Sequence, residues 1–299
     1  MKMIINRSKL SCKRNILLVV IFCLFINSCK NEVDEAFQKA DQSDVPIKML
    51  SLLERLPLGK KVQVYDLDKA ENAFKGKKNE EKSGPSDLSS LSFGNLSTLL
   101  AFPKEAEDVL RKIFPEGRRG VIATVDIMEY ENLVIYEPKV FPRNEIISLM
   151  KANKYQYVDT YEGSQFWTDN ATVYKLQVIL TDKRMIIGPQ PDALKNYLIQ
   201  IKKLTPSGEY YFKEKEVYKA IINYLKKDTY DFTLEHNPLD CGANWIGDIG
   251  SFKNGKVSMI NYIIGRDKQS AKNCERIYKR VKGKCITKVK ENILFFKCD

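Results

Sequence analysis

What most constrains the fold of this chain is alternation. From Lys60 onward, short runs in which apolar and polar residues take turns are separated by Asn, Gly and Asp, the pattern of half-buried strands joined by turns. KKVQVYDL sets Val62 and Val64 against polar neighbours. RGVIATVDIM and ENLVIYEP follow, then KYQYVDTYEG, SQFWTD, TVYKLQVILTD and RMIIGP. ANWIGDIGSF and KVSMINYIIG flank Asn254-Gly255, a dipeptide suited to a two-residue hairpin turn.

Helical spacing interrupts these runs at regular points. IKMLSLLERL, PRNEIISLMKAN and SAKNCERIYKRVK read as helices, and PKEAEDVLRKIF has Pro in its first turn, acids early and basic residues late, as the helix dipole favours. In PDALKNYLIQIKK and KEKEVYKAIINYLKK one face is apolar, through Leu194, Leu198 and Ile201 and through Val217, Ile221 and Leu225. Residues 75–92, charged and then rich in Ser, Gly and Pro, read as a loop inside a domain. The expected class is α+β: a mostly antiparallel sheet with helices packed on one face. Residues 45–205 and 206–299 form two units of similar strand–strand–helix–strand–strand plan, without residue-level identity between them.

The first fifteen residues carry Lys2, Arg7, Lys9, Lys13 and Arg14 and no acid; Ile16 to Ile26 are apolar, and Asn27-Ser28-Cys29 opens a polar stretch. This is the pattern of a signal peptide over residues 1–28. As a helix the apolar run reaches only about 16 Å, short of a bilayer core. Ile26 and Ser28 before Cys29 resemble the bacterial lipobox, although Asn27 replaces the usual Ala or Ser. The Lys-, Ile- and Asn-rich setting is similar to lipoproteins of Borrelia-type spirochaetes. The resemblance, confined to residues 1–30, implies cleavage before Cys29 and acylation of its thiol and amine. It also implies an exported protein held in the cell envelope, in the outer membrane, at the surface or on the periplasmic face. Each buried CH2 of such chains contributes about 0.8 kcal/mol, so several together make a lasting anchor. Residues 29–44 then serve as a lipidated, polar tether.

Export changes how charge and cysteines are read. The formal net charge is +11, of which +5 lies in residues 1–28. The remaining basic residues are interspersed with acids, so a mixed-charge surface is expected and nucleic acid is not an expected partner. Once the signal is gone and Cys29 is acylated, Cys241, Cys274, Cys285 and Cys298 remain. An even number in an exported chain argues for two disulfides. Three connectivities are open; a hairpin about Glu291-Asn292 would set Cys285 opposite Cys298 and leave Cys241 for Cys274. Neither metal nor cofactor is expected: no Cys-x2-Cys knuckle occurs, and His236 is the sole histidine.

No stretch carries a convincing catalytic signature. Ser148-Leu149-Met150-Lys151 matches the S-x-x-K of penicillin-recognising enzymes, with Thr168-Asp169-Asn170 and Lys253-Asn254-Gly255 as loose echoes of their later motifs. Ser148, however, falls inside a helix, and Lys-Asn-Gly is better explained as a turn. His236 precedes Asn237-Pro238 at a strand end. Asp66, Asp68, Asp126, Glu129 and Glu131 read as solvated carboxylates. The aromatic set Tyr155, Tyr157, Tyr161, Phe166 and Trp167 is a candidate binding surface, with the three tyrosines on one strand face, although burial under helices is the more ordinary fate. The expected function is a lipid-anchored, non-catalytic binding protein of the envelope, its partner a host or envelope protein or glycan. The alternatives are an envelope hydrolase acting on peptidoglycan or glycans, built on acids such as Asp126 and Glu129, and an accessory carrying a hydrophobic ligand.

Overall fold

Alternation becomes one sheet. A computed structural model of the chain describes residues 38–40, 46–53, 60–74, 102–128, 131–161, 163–169, 176–188, 215–282 and 285–298, with Leu56, Leu96, Leu100 and Leu194. Among them the strands are β1 (Lys61–Asp66), β2 (Val121–Met128), β3 (Glu131–Glu137), β4 (Tyr155–Tyr161), β5 (Ser164–Asp169), β6 (Gln177–Leu180), β7 (Met185–Gly188), β8 (Thr229–His236), β9 (Ala243–Lys253), β10 (Lys256–Gly265), β11 (Cys285–Lys290) and β12 (Ile293–Cys298). The helices are α1 (Ile47–Leu53), α2 (Leu67–Phe74), α3 (Glu105–Ile113), α4 (Arg143–Ala152), α5 (Lys215–Ile222) and α6 (Lys268–Lys282).

All twelve strands lie in a single antiparallel sheet, ordered β11-β12-β10-β9-β8-β1-β2-β3-β7-β6-β5-β4. The α+β class and the antiparallel pairing are as the sequence implies. The plan of each half is plain in the order. Strands β1, β2 and β3 lie side by side, α4 follows β3 and leads to the far edge at β4, and β5, β6 and β7 step back towards β3. In the other half β8, β9 and β10 lie side by side, α6 leads to the edge at β11, and β12 returns to β10. The halves meet where β1 pairs with β8, Val62 opposite Leu234 and Val64 opposite Phe232.

Period-two alternation decides what each face does. The front face carries Val62, Val64, Phe232, Leu234, Ile249 and Tyr262, which join α1, Ile221 of α5 and Leu194 in one core spanning both halves. Each such fully buried side chain contributes about 1.5–3 kcal/mol. The back face has two separate cores. One gathers Tyr65, Ile122, Tyr136 and Trp167 with Leu67 of α2, Leu110 of α3 and Met150 of α4. The other, under α6, gathers Ile263, Leu294, Phe296 and the Cys241 and Cys274 sulfurs. Helices therefore cover both faces, where one face was expected. The reason is local: Val62 and Val64 are apolar on one side of β1, and Tyr65 is apolar on the other, so the same strand must be covered twice.

Turn chemistry behaves as read. Asn254 and Gly255 both take positive φ, 52° and 76°, in the β9–β10 hairpin, with Lys253 opposite Lys256. Glu291, at φ 52°, turns β11 into β12. Residues 1–37 and 75–95, and 191–203 apart from Leu194, lie outside the described residues, and with them fall Cys29, the charged loop and the PDALKNYLIQIKK helix.

Candidate functional site

Between the two back-face cores the sheet is polar. Odd-numbered residues of β1 and β8 face this side: Lys61, Gln63, Thr233, Glu235 and Asp231, with Asp248 of β9 opposite Thr233. They line a cleft of about 160 Å³, with Tyr65, Ile246 and Met259 completing its walls. β8 carries a bulge between Thr229 and Asp231, at one end of the cleft-lining run. Bulges re-aim side chains, and here Tyr230 comes to the same side as Asp231, its hydroxyl on the Met259 sulfur at 3.4 Å. Gly247 is required beneath: a methyl group there would overlap the Thr233 carbonyl oxygen and the Tyr262 ring, whose hydroxyl donates to that same carbonyl.

Asp231 is fully buried, and neither of its carboxylate oxygens has a hydrogen-bond partner. Burial, then the neighbouring Asp248, pushes its carboxyl up to about 8, with Lys61 pulling the other way. Burial also raises the Asp248 carboxyl, against the Thr233 hydroxyl and Lys61, while Glu235 adds to the rise. At the open end Lys61 stands 3.9 Å from Glu235, both half-buried. The cleft thus joins two carboxyls that are reluctant to ionise, a third in an ion pair, and neutral donors and acceptors from Gln63 and Thr233. Among the described residues no three His, Cys, Asp or Glu side chains converge closely enough to hold a metal ion.

A larger cleft, about 330 Å³, opens on the front face beyond the core, between Tyr224, Lys226 and Asp228 and the tip of the β9–β10 hairpin. Lys226, Asp228, Lys253 and Ser258 there each have interaction partners. The buried Tyr224 hydroxyl on its wall has no hydrogen-bond partner, but no carboxylate there has both oxygens unpartnered as Asp231 does.

The expected site residues separate. Tyr155 is buried, its hydroxyl donating to the Leu100 carbonyl at 2.7 Å and its ring edge-on to Phe102. Phe166 lies in the front core and Trp167 in the larger back core. Tyr157 is exposed (51 %), packs edge-on to Trp167 and bonds Thr160 through its hydroxyl. The three tyrosines do not share a face. An irregularity between Tyr157 and Asp159 adds Val158 to β4, so the alternation slips by one and Tyr161 packs towards the front core.

Ser148 and Lys151 sit on the exposed side of α4, and the Ser148 hydroxyl donates back to the Asn144 carbonyl. His236 ends β8 at the surface, its ring edge-on to Trp245. Asp66 accepts from the Lys69 amide at the start of α2. Asp126 of β2 lies opposite Lys61 of β1 in the strand register; Glu129 and the Glu131 side chain lie outside the described residues.

Asp68 has a different surrounding. Its Oδ1 accepts from the amides of Gly117 (2.7 Å) and Arg119 (3.4 Å), and its Oδ2 from the Lys139 ammonium (2.9 Å) and the Gly120 amide (3.5 Å). Burial alone would raise this carboxyl, but Lys139 and the two Oδ1 amides outweigh it and hold it below the usual range. Arg119 pairs with Glu71 alongside.

Cys241 and Cys274 form a disulfide that ties α6 to the loop before β9. Closing a separation of 33 residues contributes about 3–4 kcal/mol in the chain-entropy picture. Cys285 stands directly opposite Cys298 in the β11–β12 ladder.

What sequence reasoning missed is Asp231. A signal was present: Asp231, Thr233 and Glu235 alternate with Phe232 and Leu234, as they would in a central strand with one polar side.

No protein-family model matches the chain, and no curated protein matches its sequence. Among solved structures, crystal forms of TP0453, an outer-membrane-associated lipoprotein of the spirochaete Treponema pallidum, are similar. Form I aligns at 8 % identity with a TM-score of 0.46, covering 87 % of this chain and 93 % of that one. Form III aligns at 9 % identity with a TM-score of 0.45, covering 82 % and 92 %. At this distance the likeness carries no argument about ligand or activity. No helix among the described residues is long and apolar enough to cross a membrane.

Proposed function

We propose that the chain is a lipid-anchored, non-catalytic binding protein of the cell envelope, and that it takes its ligand in the back-face cleft. One observation carries the second half of this reading: the Asp231 carboxyl, buried and without a partner, on the polar strip between two apolar cores. An unsatisfied buried polar group lowers stability by about 1–3 kcal/mol, so its presence in a folded protein calls for a use. The signal pattern and Cys29 support the first half.

Two experiments test the reading. Radiolabelled palmitate should enter the wild type and not Cys29→Ala, and protease treatment of intact cells then reports which way the body faces. Equal labelling of both forms removes the anchor. Purified protein incubated with peptidoglycan and envelope glycans should release no product. Release that disappears in Asp231→Asn makes the cleft an active site instead.

A further inference from the structure

We infer that the back-face cleft receives an organic cation, an alkylammonium or guanidinium head group, held on Asp231 with Asp248 and Glu235 flanking it. The inference rests on the proposal that this cleft is the binding site, and adds the chemistry of the ligand.

Three features of the cleft lead there. Asp231 borders the cleft with two oxygens that are closed to water and have no donor at either; ammonium and guanidinium groups present donors only, several at once, which is the complement required. The surrounding charge is also one-sided. Asp248 and Glu235 share the cleft with Asp231 against the single cation Lys61, itself drawn aside towards Glu235. An anion gains only Lys61 there, and every carboxyl that ionises repels it. Size selects within the cations: about 160 Å³ is below the roughly 300–1,000 Å³ of sites that enclose whole small molecules, and suits one head group with part of its stem. The carboxylates do not converge as metal ligands do.

Binding is then coupled to proton release, because a cation favours the ionised form of a carboxyl that burial keeps protonated. The groups facing Asp231 are Lys61 and Tyr65 from β1, Tyr230 and Glu235 from β8 and Asp248 from β9; β10 contributes the uncharged Met259. From α2, Lys69 reaches the Thr229 carbonyl at the end of the same strand. Of these, Lys61 competes with the ligand for the same carboxyl.

The test is a titration of the mature chain, labelled at its Asp carboxyl carbons, followed by NMR. The probes are n-butylammonium, capped lysine and capped arginine; capped norleucine and capped glutamate are controls. The Asp231 signal, identified by its loss in Asp231→Asn, should move saturably with the cationic probes and not with the controls. Affinity should rise at least tenfold between pH 6 and pH 9. Lys61→Met should tighten binding several-fold, whereas a cleft built for anions would lose it. Asp231→Asn should weaken binding more than tenfold while melting no lower than the wild type, which separates loss of the site from loss of the fold. Tighter binding of the capped residues than of butylammonium would assign the head group to a protein side chain. Equal binding would assign it to a free amine. Capped norleucine or glutamate moving the cleft signals as well as capped lysine overturns the cation and leaves the cleft as a binding site. No response to any probe at Asp231 or Asp248 overturns both.

Discussion

Two aspartates on the back of the same sheet, Asp68 and Asp231, are both buried, Asp231 the more deeply, and are treated in opposite ways. Asp68 is surrounded by donors: three backbone amides of the 117–120 loop and the Lys139 ammonium, so its charge is the centre of a local structure. Asp231 has the Asp248 carboxyl beside it, Lys61 as the opposing charge, and no donor on either oxygen. The difference teaches what burial alone does not say. A buried carboxylate with all its partners present holds a loop, and one with none lowers the stability of the fold that contains it. Stability and pH dependence should therefore have opposite signs at the two positions.

The largest effect expected is at Asp68. Asp68→Asn keeps one oxygen for the Gly117 and Arg119 amides but sets a donor against the Gly120 amide and the Lys139 ammonium, and should lower unfolding stability by about 2–3 kcal/mol in urea denaturation at pH 7. A change under about 0.5 kcal/mol would erase the contrast with Asp231. Next in size, Asp231→Asn should raise stability, by about 1–2 kcal/mol at pH 9, since it removes a charge that nothing in the native state solvates. Lys139→Met should cost about 1 kcal/mol, less than Asp68→Asn, because the ammonium is half-exposed and screened while the amides keep their carboxylate. Ser148→Ala, on the exposed side of α4 and away from both carboxylates, should stay within about 0.5 kcal/mol by thermal melting.

How much of this contrast could be read from the sequence differs by element. The β9–β10 and β11–β12 hairpins and the Asn254-Gly255 turn follow from local patterns, because hairpins and their registers are set by neighbouring residues, whereas the β3–β7 and β10–β12 pairings join strands distant in sequence. α2 was missed: Leu67 to Phe74 follows β1 without a break, and its start is marked only by Asp66 accepting from the Lys69 amide. The slip at Val158 was illegible too, since an inserted residue in β4 leaves the alternation of KYQYVDTYEG looking intact. The cleft was the least legible of all. Lys61 and Gln63 reach Asp231 and Asp248 only through the β1–β8 pairing, across more than half the chain, and no local period encodes that meeting. The Asp68 collar shares this property, for its partners lie on the loop before β2 and after β3.

The measurement that bears most directly on the account is unfolding stability as a function of pH for wild type, Asp231→Asn and Asp68→Asn. A carboxyl raised to about 8 when folded, against about 3.9 unfolded, keeps its proton in the native state alone between those values. Its contribution is full below about pH 4, declines as pH rises towards 8 and is constant above that. Asp231→Asn should therefore exceed the wild type most at pH 9, with the gap closing as pH falls towards 4. Asp68, depressed when folded, contributes above about pH 4 and loses that contribution on further acidification, so the deficit of Asp68→Asn should shrink only in acid. Gaps of opposite sign with these two windows are the predicted result. An Asp231→Asn protein that is less stable than wild type at pH 9, or a gap that does not change with pH, would mean that Asp231 already has its partner inside the fold, and the back-face cleft would lose its claim to be a binding site.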